Sequence, residues 1–200
     1  ADNAAVRSGI VRGGLLNTAL WWFRWGAMFT FITGWLYILH IAFAKYGGLR
    51  EFAASSYGWK IFFGGMLGST MWANVWFVIW PAQRDFVIKN AEQVAAGGQA
   101  IPEAAAKGAL AGRMSRTNTL FSIPMLFFMG SARHMTPGFN DGSNDVIYWI
   151  LVLAVVGALE LNALMGSAPG RQKYLTTVSG TIHMGLGATA LLVLVGFLNR

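Results

Sequence analysis

Long apolar stretches separated by short polar ones run the length of the chain. Five of them reach the roughly 20 residues that an α-helix needs to cross about 30 Å of hydrocarbon. They cover residues 20–44, 57–81, 117–135, 146–166 and 175–198, the third being the least apolar. None shows the strict alternation of a barrel strand. The pattern predicts an all-α integral membrane helical bundle of about five transmembrane helices, in a single domain over 1–200. Trp21, Trp22 and Trp25 at the start of the first span and Trp80 at the end of the second fit an interfacial aromatic belt. Arg24 and Lys60 lie near span ends, where long side chains snorkel to the headgroups. Between the second and third spans, residues 84–96 read as a helix whose weak apolar face is Phe86, Val87 and Val94. Gly97-Gly98 ends it, and Ile101-Pro102-Glu103 opens a second helical run into the third span. Segment 83–116 is therefore expected to be an amphipathic cytoplasmic loop on the membrane surface or against helix ends.

Composition sharpens this picture. Hydrophobic residues make up 55% of the 200 and charged residues 12%, about half the charge of a soluble domain. That excludes an ordinary soluble globule and a disordered chain. With no cysteine, disulfides, thiolate zinc sites, iron–sulfur clusters and covalent haem are excluded too. The net charge of +7 is spread through loops, which is membrane topology and not a nucleic-acid surface. One side carries Arg7, Arg12, Arg84, Lys89, Lys107, Arg113, Arg116, Arg171 and Lys173; the other carries Lys45, Arg50, Lys60, Arg133 and Arg200. The excess on the first side places the N-terminus in the cytoplasm and the C-terminus outside. The first residue is Ala1 and no signal-peptide pattern precedes the first span, so the chain is expected to be processed, trimmed or part of a longer one.

Ionisable residues at membrane depth are functional candidates by default. At about 1.5 Å rise per residue, Glu160 lies roughly 9 Å and His183 roughly 12 Å from the cytoplasmic face. Asn74 lies at similar depth, with Asn162 nearby on another face of its helix. A Glu160–His183 pair completed by Asn74 would relay protons or fix an imidazole tautomer, or would simply pin the helices together. His40 and His134, at the outer ends of the first and third spans, form a second set; two imidazoles on different helices are what a b-type haem requires. A solvated interfacial role is the plainer reading of both. The sequence offers no zinc, di-iron or nucleotide-binding motif, and no metal site is assigned. Gly64, Gly65 and Gly68, and Gly180, Gly185 and Gly187, allow close helix packing or the seating of a flat cofactor. Pro124 is expected to kink the third span and free a backbone carbonyl.

Two stretches carry a family resemblance: GSTMWANVWFVIWPAQ, residues 68–83, and SRTNTLFSIPMLFFMGSARH, residues 115–134. Together with WWFRWGAMFTFITG at 21–34, they resemble the membrane domain of the bacterial membrane-bound urate oxidase (urate hydroxylase) family. The likeness is close over about 20–138 and general over the last two helices. The family's first membrane helix and its fused cytochrome c domain have no counterpart in this sequence. Six spans are expected in a longer parent. The resemblance implies an oxidase-type domain of the bacterial inner membrane that passes electrons to a c-type cytochrome. The motif residues that map are Asn74, Gln83, Asn118 and His134.

The leading expectation is a redox-associated membrane protein working with a separate cytochrome or a larger membrane complex. In it His134 contacts substrate or cofactor, Asn74 and Asn118 orient it, and Glu160 and His183 handle protons. Two alternatives stand beside it: a non-catalytic accessory subunit of a respiratory or photosynthetic complex, and a proton-coupled transporter built on Glu160 and His183. The transporter lacks the paired repeats and broken helices of known carriers.

Overall fold

The computed structural model describes residues 9–11, 13–135, 146–166 and 170–198. Of the charges that set the expected orientation, Arg7, Arg12 and Arg200 lie outside them. The described residues form helices and connecting turns with no strand, an all-α bundle. In order they are α1 (Leu15–Lys45), the short α2 (Leu49–Ala54), α3 (Ser56–Ala95), α4 (Ala104–His134), α5 (Val146–Leu164), a 3-10 turn at Lys173–Leu175, and α6 (Val178–Leu198). By length and composition α1, α3, α5 and α6 can cross a membrane.

The other long helix, α4, lies against α3, α5 and α6 and carries much of the core: Met114, Leu120, Phe121 and Phe128 are all buried. Its many hydroxyls lower its hydropathy but not its fitness for an apolar setting. Thr117, Ser122 and Ser131 each donate to a carbonyl of their own helix, at 3.0, 2.7 and 2.9 Å. Polar groups satisfied inside the helix cost little in hydrocarbon. This is why the third apolar stretch looks weak in sequence although its helix is central.

The second helix differs most from the sequence pattern. The pattern ends a span at Pro81 and starts a separate surface helix near residue 84, whereas α3 runs on without a break to Ala95. Pro81 lacks an N–H, and in a regular α-helix its ring would meet the carbonyl of Phe77. The chain widens to accommodate it, through π-helical turns at Asn74–Ile79 and Gln83–Ile88 that flank Trp80–Ala82. The Trp80 N–H accordingly reaches back five residues to the Val75 carbonyl. α3 stops where expected: Gly97 takes a left-handed φ of 85° and the Gly98 N–H bonds the Gln93 carbonyl at 2.9 Å. Ile101 N–H then donates to Asn90 Oδ1 at 2.7 Å, which folds the start of α4 back along the end of α3.

Close packing explains the glycines. Pro124 removes the bond to the Leu120 carbonyl without interrupting α4, and α6 approaches that carbonyl through Gly185. A Cβ at Gly185 would stand 3.0 Å from Leu120 O and 2.5 Å from Ile123 Cδ1. Gly64 on α3 is equally tight, 2.5 Å from Met129 Cγ. At one end of the bundle Trp59, Phe63, Phe128 and Tyr148 form an aromatic core. Lys60, expected to snorkel, is fully buried there, its ammonium 5.8 Å from the Trp59 ring. Further along α3, the Arg24 guanidinium of α1 stacks 4.1 Å over Trp80 and 4.9 Å from Trp76, holding α1 to α3.

Gly185→Val is expected to destabilise the bundle by about 1–3 kcal/mol through overpacking of α4 against α6. Gly187→Ala, where a Cβ meets nothing within 4 Å, is expected to leave the melting temperature within a degree or two of wild type, roughly the shift of a neutral surface change. Thermal unfolding of the detergent-solubilised protein, followed by tryptophan fluorescence, compares the two.

Candidate functional site

A hydrogen-bonded polar seam joins three helices within the apolar bundle. Asn74, 4% exposed, opens the first π-helical turn of α3. Its Nδ2 donates to Asn118 Oδ1 of α4 at 2.9 Å and to Glu160 Oε2 of α5 at 3.2 Å. Asn118 Nδ2 donates in turn to the Met71 carbonyl at 3.0 Å. The donors run one way: Asn74 gives one N–H to Asn118 Oδ1 and the other to a carboxylate, which can only accept while ionised. A carboxylate among apolar side chains needs such a partner, because an unpaired buried charge is costly. The chemistry available here is proton acceptance and release at Glu160, with the amides fixing its position.

Beside the seam, α1, α3 and α4 enclose a cavity of about 410 Å³. Its walls are almost wholly apolar: Phe31, Trp35 and Ile38 from α1, Trp72 and Val75 from α3, Met125 and Met129 from α4, with Gly34 and Gly68 opening the space. Phe31 and Trp72 lie stacked, ring centroids 4.2 Å apart and 13° from parallel. Asn118 lines this cavity and belongs to the seam, so the two are continuous.

Sequence reasoning named Asn74, Asn118 and Glu160, and the structure brings those three together. Glu160 and His183 share no hydrogen bond among the described residues. The exposed His183 imidazole turns to its own helix, with Nδ1 2.7 Å from the Ser179 carbonyl and 3.2 Å from Ser179 Oγ. It borders an open hollow with Lys173, Tyr174, Thr176 and Thr177. His40 on α1 and His134 in the last turn of α4 are both exposed, and neither lines the cavity. The imidazoles thus do not converge on an enclosed space, and the residues present do not fit a haem held by two histidines between the helices. Among the described residues no group of three or more His, Asp or Glu could hold a metal ion. Gln83 begins the second π-helical turn, about 13 Å along α3 from Asn74 at helical rise. Asn162 faces away from the seam, as its helical position predicts, and donates to the Tyr174 hydroxyl at 2.8 Å.

One feature was not foreseen. Arg113, counted only as a loop charge, donates to the Ala163 carbonyl at 3.2 Å, and Arg116 donates to the Leu175 carbonyl. They satisfy carbonyls at the end of α5 and at the turn before α6, where backbone acceptors lack helical partners. The cavity had a trace in sequence: Gly64, Gly65 and Gly68, read there as allowing close packing or the seating of a flat cofactor, all line it.

The fold and the seam define a class: an all-α membrane protein with a carboxylate held between its helices. The urate oxidase N-terminal family model matches residues 35–192, and the chain belongs to that family. No curated protein and no solved structure matches it.

Replacing Asn74 by Leu leaves Glu160 and Asn118 Oδ1 without their donor in an apolar setting. The expected loss is about 1–3 kcal/mol of stability, whereas His183→Ala is expected to change stability by less than about 0.5 kcal/mol. Denaturation of both variants in the same detergent checks the difference.

Proposed function

We propose that this chain is the membrane part of an oxidoreductase of the urate oxidase type, passing electrons to a separate carrier, either a c-type cytochrome or a larger membrane complex. The observation that carries the reading is the Asn74–Asn118–Glu160 seam beside an intramembrane cavity in a chain of this family. Purely structural polar contacts would not need an ionisable group, and a carboxylate at membrane depth marks proton handling. Removing electrons from a purine releases protons. In this reading Glu160 takes one, while the Asn74 amide holds it and stabilises its charged form. Asn118 aligns Asn74 and faces the cavity. In this reading α4 crosses the bilayer as a fifth span, and the bundle sits in the bacterial inner membrane with its N-terminal side in the cytoplasm. His134, exposed at the outer end of α4, is a contact for substrate or electron carrier and not a haem ligand enclosed by the bundle.

The test is urate-dependent reduction of an added c-type cytochrome by membranes containing the protein. Wild type is expected to support it. Glu160→Gln is expected to lower the rate by about 100-fold, the lower end of what a positioned acid–base group contributes, with the amount of inserted protein unchanged. His134→Ala is expected to lower it less, through a weaker apparent affinity for substrate or cytochrome. No urate-dependent reduction by wild type, together with co-purification in a larger complex, would overturn the catalytic reading in favour of an accessory subunit.

A further inference from the structure

The cavity between α1, α3 and α4 has an occupant chemistry of its own. α1 packs chiefly against α2 and α3, and the cavity lies where α1 faces α4. On its α1 side Thr30, Gly34 and Tyr37 are exposed on the outside of a helix apolar enough to cross a membrane. Entry is therefore sideways from the hydrocarbon, which selects a lipid-soluble ligand. The volume of about 410 Å³ lies in the range of about 300–1,000 Å³ usual for small-molecule sites.

The lining is short of acceptors. The Trp72 indole nitrogen is buried out of reach of a water molecule, so the ring of Trp72 and not its N–H lines the space. Asn118 Nδ2 spends one N–H on Met71 O and has a second to give. The Trp35 indole N–H is already satisfied by Ser69 Oγ at 3.0 Å, and Ser69 in turn donates to Gly65 O at 2.7 Å. A hydrocarbon tail would leave the Asn118 donor unmet; a flat ring bearing a carbonyl oxygen would satisfy it and lie along the stacked Phe31–Trp72 wall.

We propose that this cavity binds a membrane quinone, its ring among Phe31, Trp72 and Met125 and a carbonyl oxygen served by Asn118. The choice of a quinone over another carbonyl-bearing apolar ring rests on the redox reading above; the binding itself does not. Asn118 then links the quinone site to Glu160 through Asn74.

The experiment uses the full chain in nanodiscs of saturated phosphatidylcholine, titrated with decylubiquinone and followed by quenching of tryptophan fluorescence, since Trp35 and Trp72 line the site. Saturable quenching is expected. Gly34→Leu places a side chain where nothing lies within 4 Å, so the bundle tolerates it while the cavity fills; quinone affinity is expected to fall at least about tenfold. Asn118→Leu removes the donor at similar size, and about fivefold weaker binding is expected, in the range of one lost hydrogen bond. Quenching that rises linearly and equally in wild type and Gly34→Leu would show partitioning into the bilayer alone and overturn the proposal. Quenching by brominated acyl chains that decylubiquinone does not relieve would overturn it in favour of a lipid tail. Because no turnover is measured, failure here leaves the urate-dependent cytochrome assay unaffected, and the converse holds.

Discussion

A carboxylate placed among apolar helices must be partnered, and the rest of this bundle is arranged around that requirement. Glu160 enters on α5, Asn74 meets it from α3, and Asn118 locks Asn74 from α4. Each of the three side chains fixes the rotation of its helix, because a turn in either direction would leave a donor or acceptor unmet in surroundings where water cannot replace it. Apolar contacts alone would not specify that rotation, since lipid is as good a neighbour as another apolar helix. The seam therefore supplies specificity of packing as well as a place for chemistry.

The backbone yields where the seam requires it. π-helical turns on both sides of Trp80–Ala82 let α3 pass Pro81 without ending, and Asn74 stands at the start of the first of them. On α4, Pro124 frees the Leu120 carbonyl, and Gly185 lets α6 come close to it. Arg113 and Arg116 meet carbonyls at the end of α5 and before α6, so the elements flanking Glu160 are tied to α4 by backbone as well as by side chain.

Much of this was legible in the sequence. Apolar length alone marked α1, α3, α5 and α6, and Gly97-Gly98 marked the end of α3. Membrane depth singled out Asn74 and Glu160, and the family motif added Asn118. What was not legible has physical causes. Pro81 reads as a terminator because a sequence shows the lost N–H but not the wider turn that absorbs it. The pairing of Glu160 with Asn74 in place of His183 depends on helix rotation; equal depth places two residues at one level without saying which way each faces. Lys60 reads as a snorkelling residue by position, and only the folded structure shows it fully buried, its ammonium near the Trp59 ring. The cavity left its trace in Gly64, Gly65 and Gly68, but its walls come from α1, α3 and α4 together, which no single segment encodes.

The claim on which the account turns is that the carboxyl of Glu160 is held by Asn74. Infrared spectroscopy of the membrane-embedded protein reads it directly, with the Glu160 carboxyl band identified by its loss in Glu160→Gln. The account predicts that Asn74→Leu moves this band and that His183→Leu leaves it where it was. A band that moves with His183 and ignores Asn74 would contradict it.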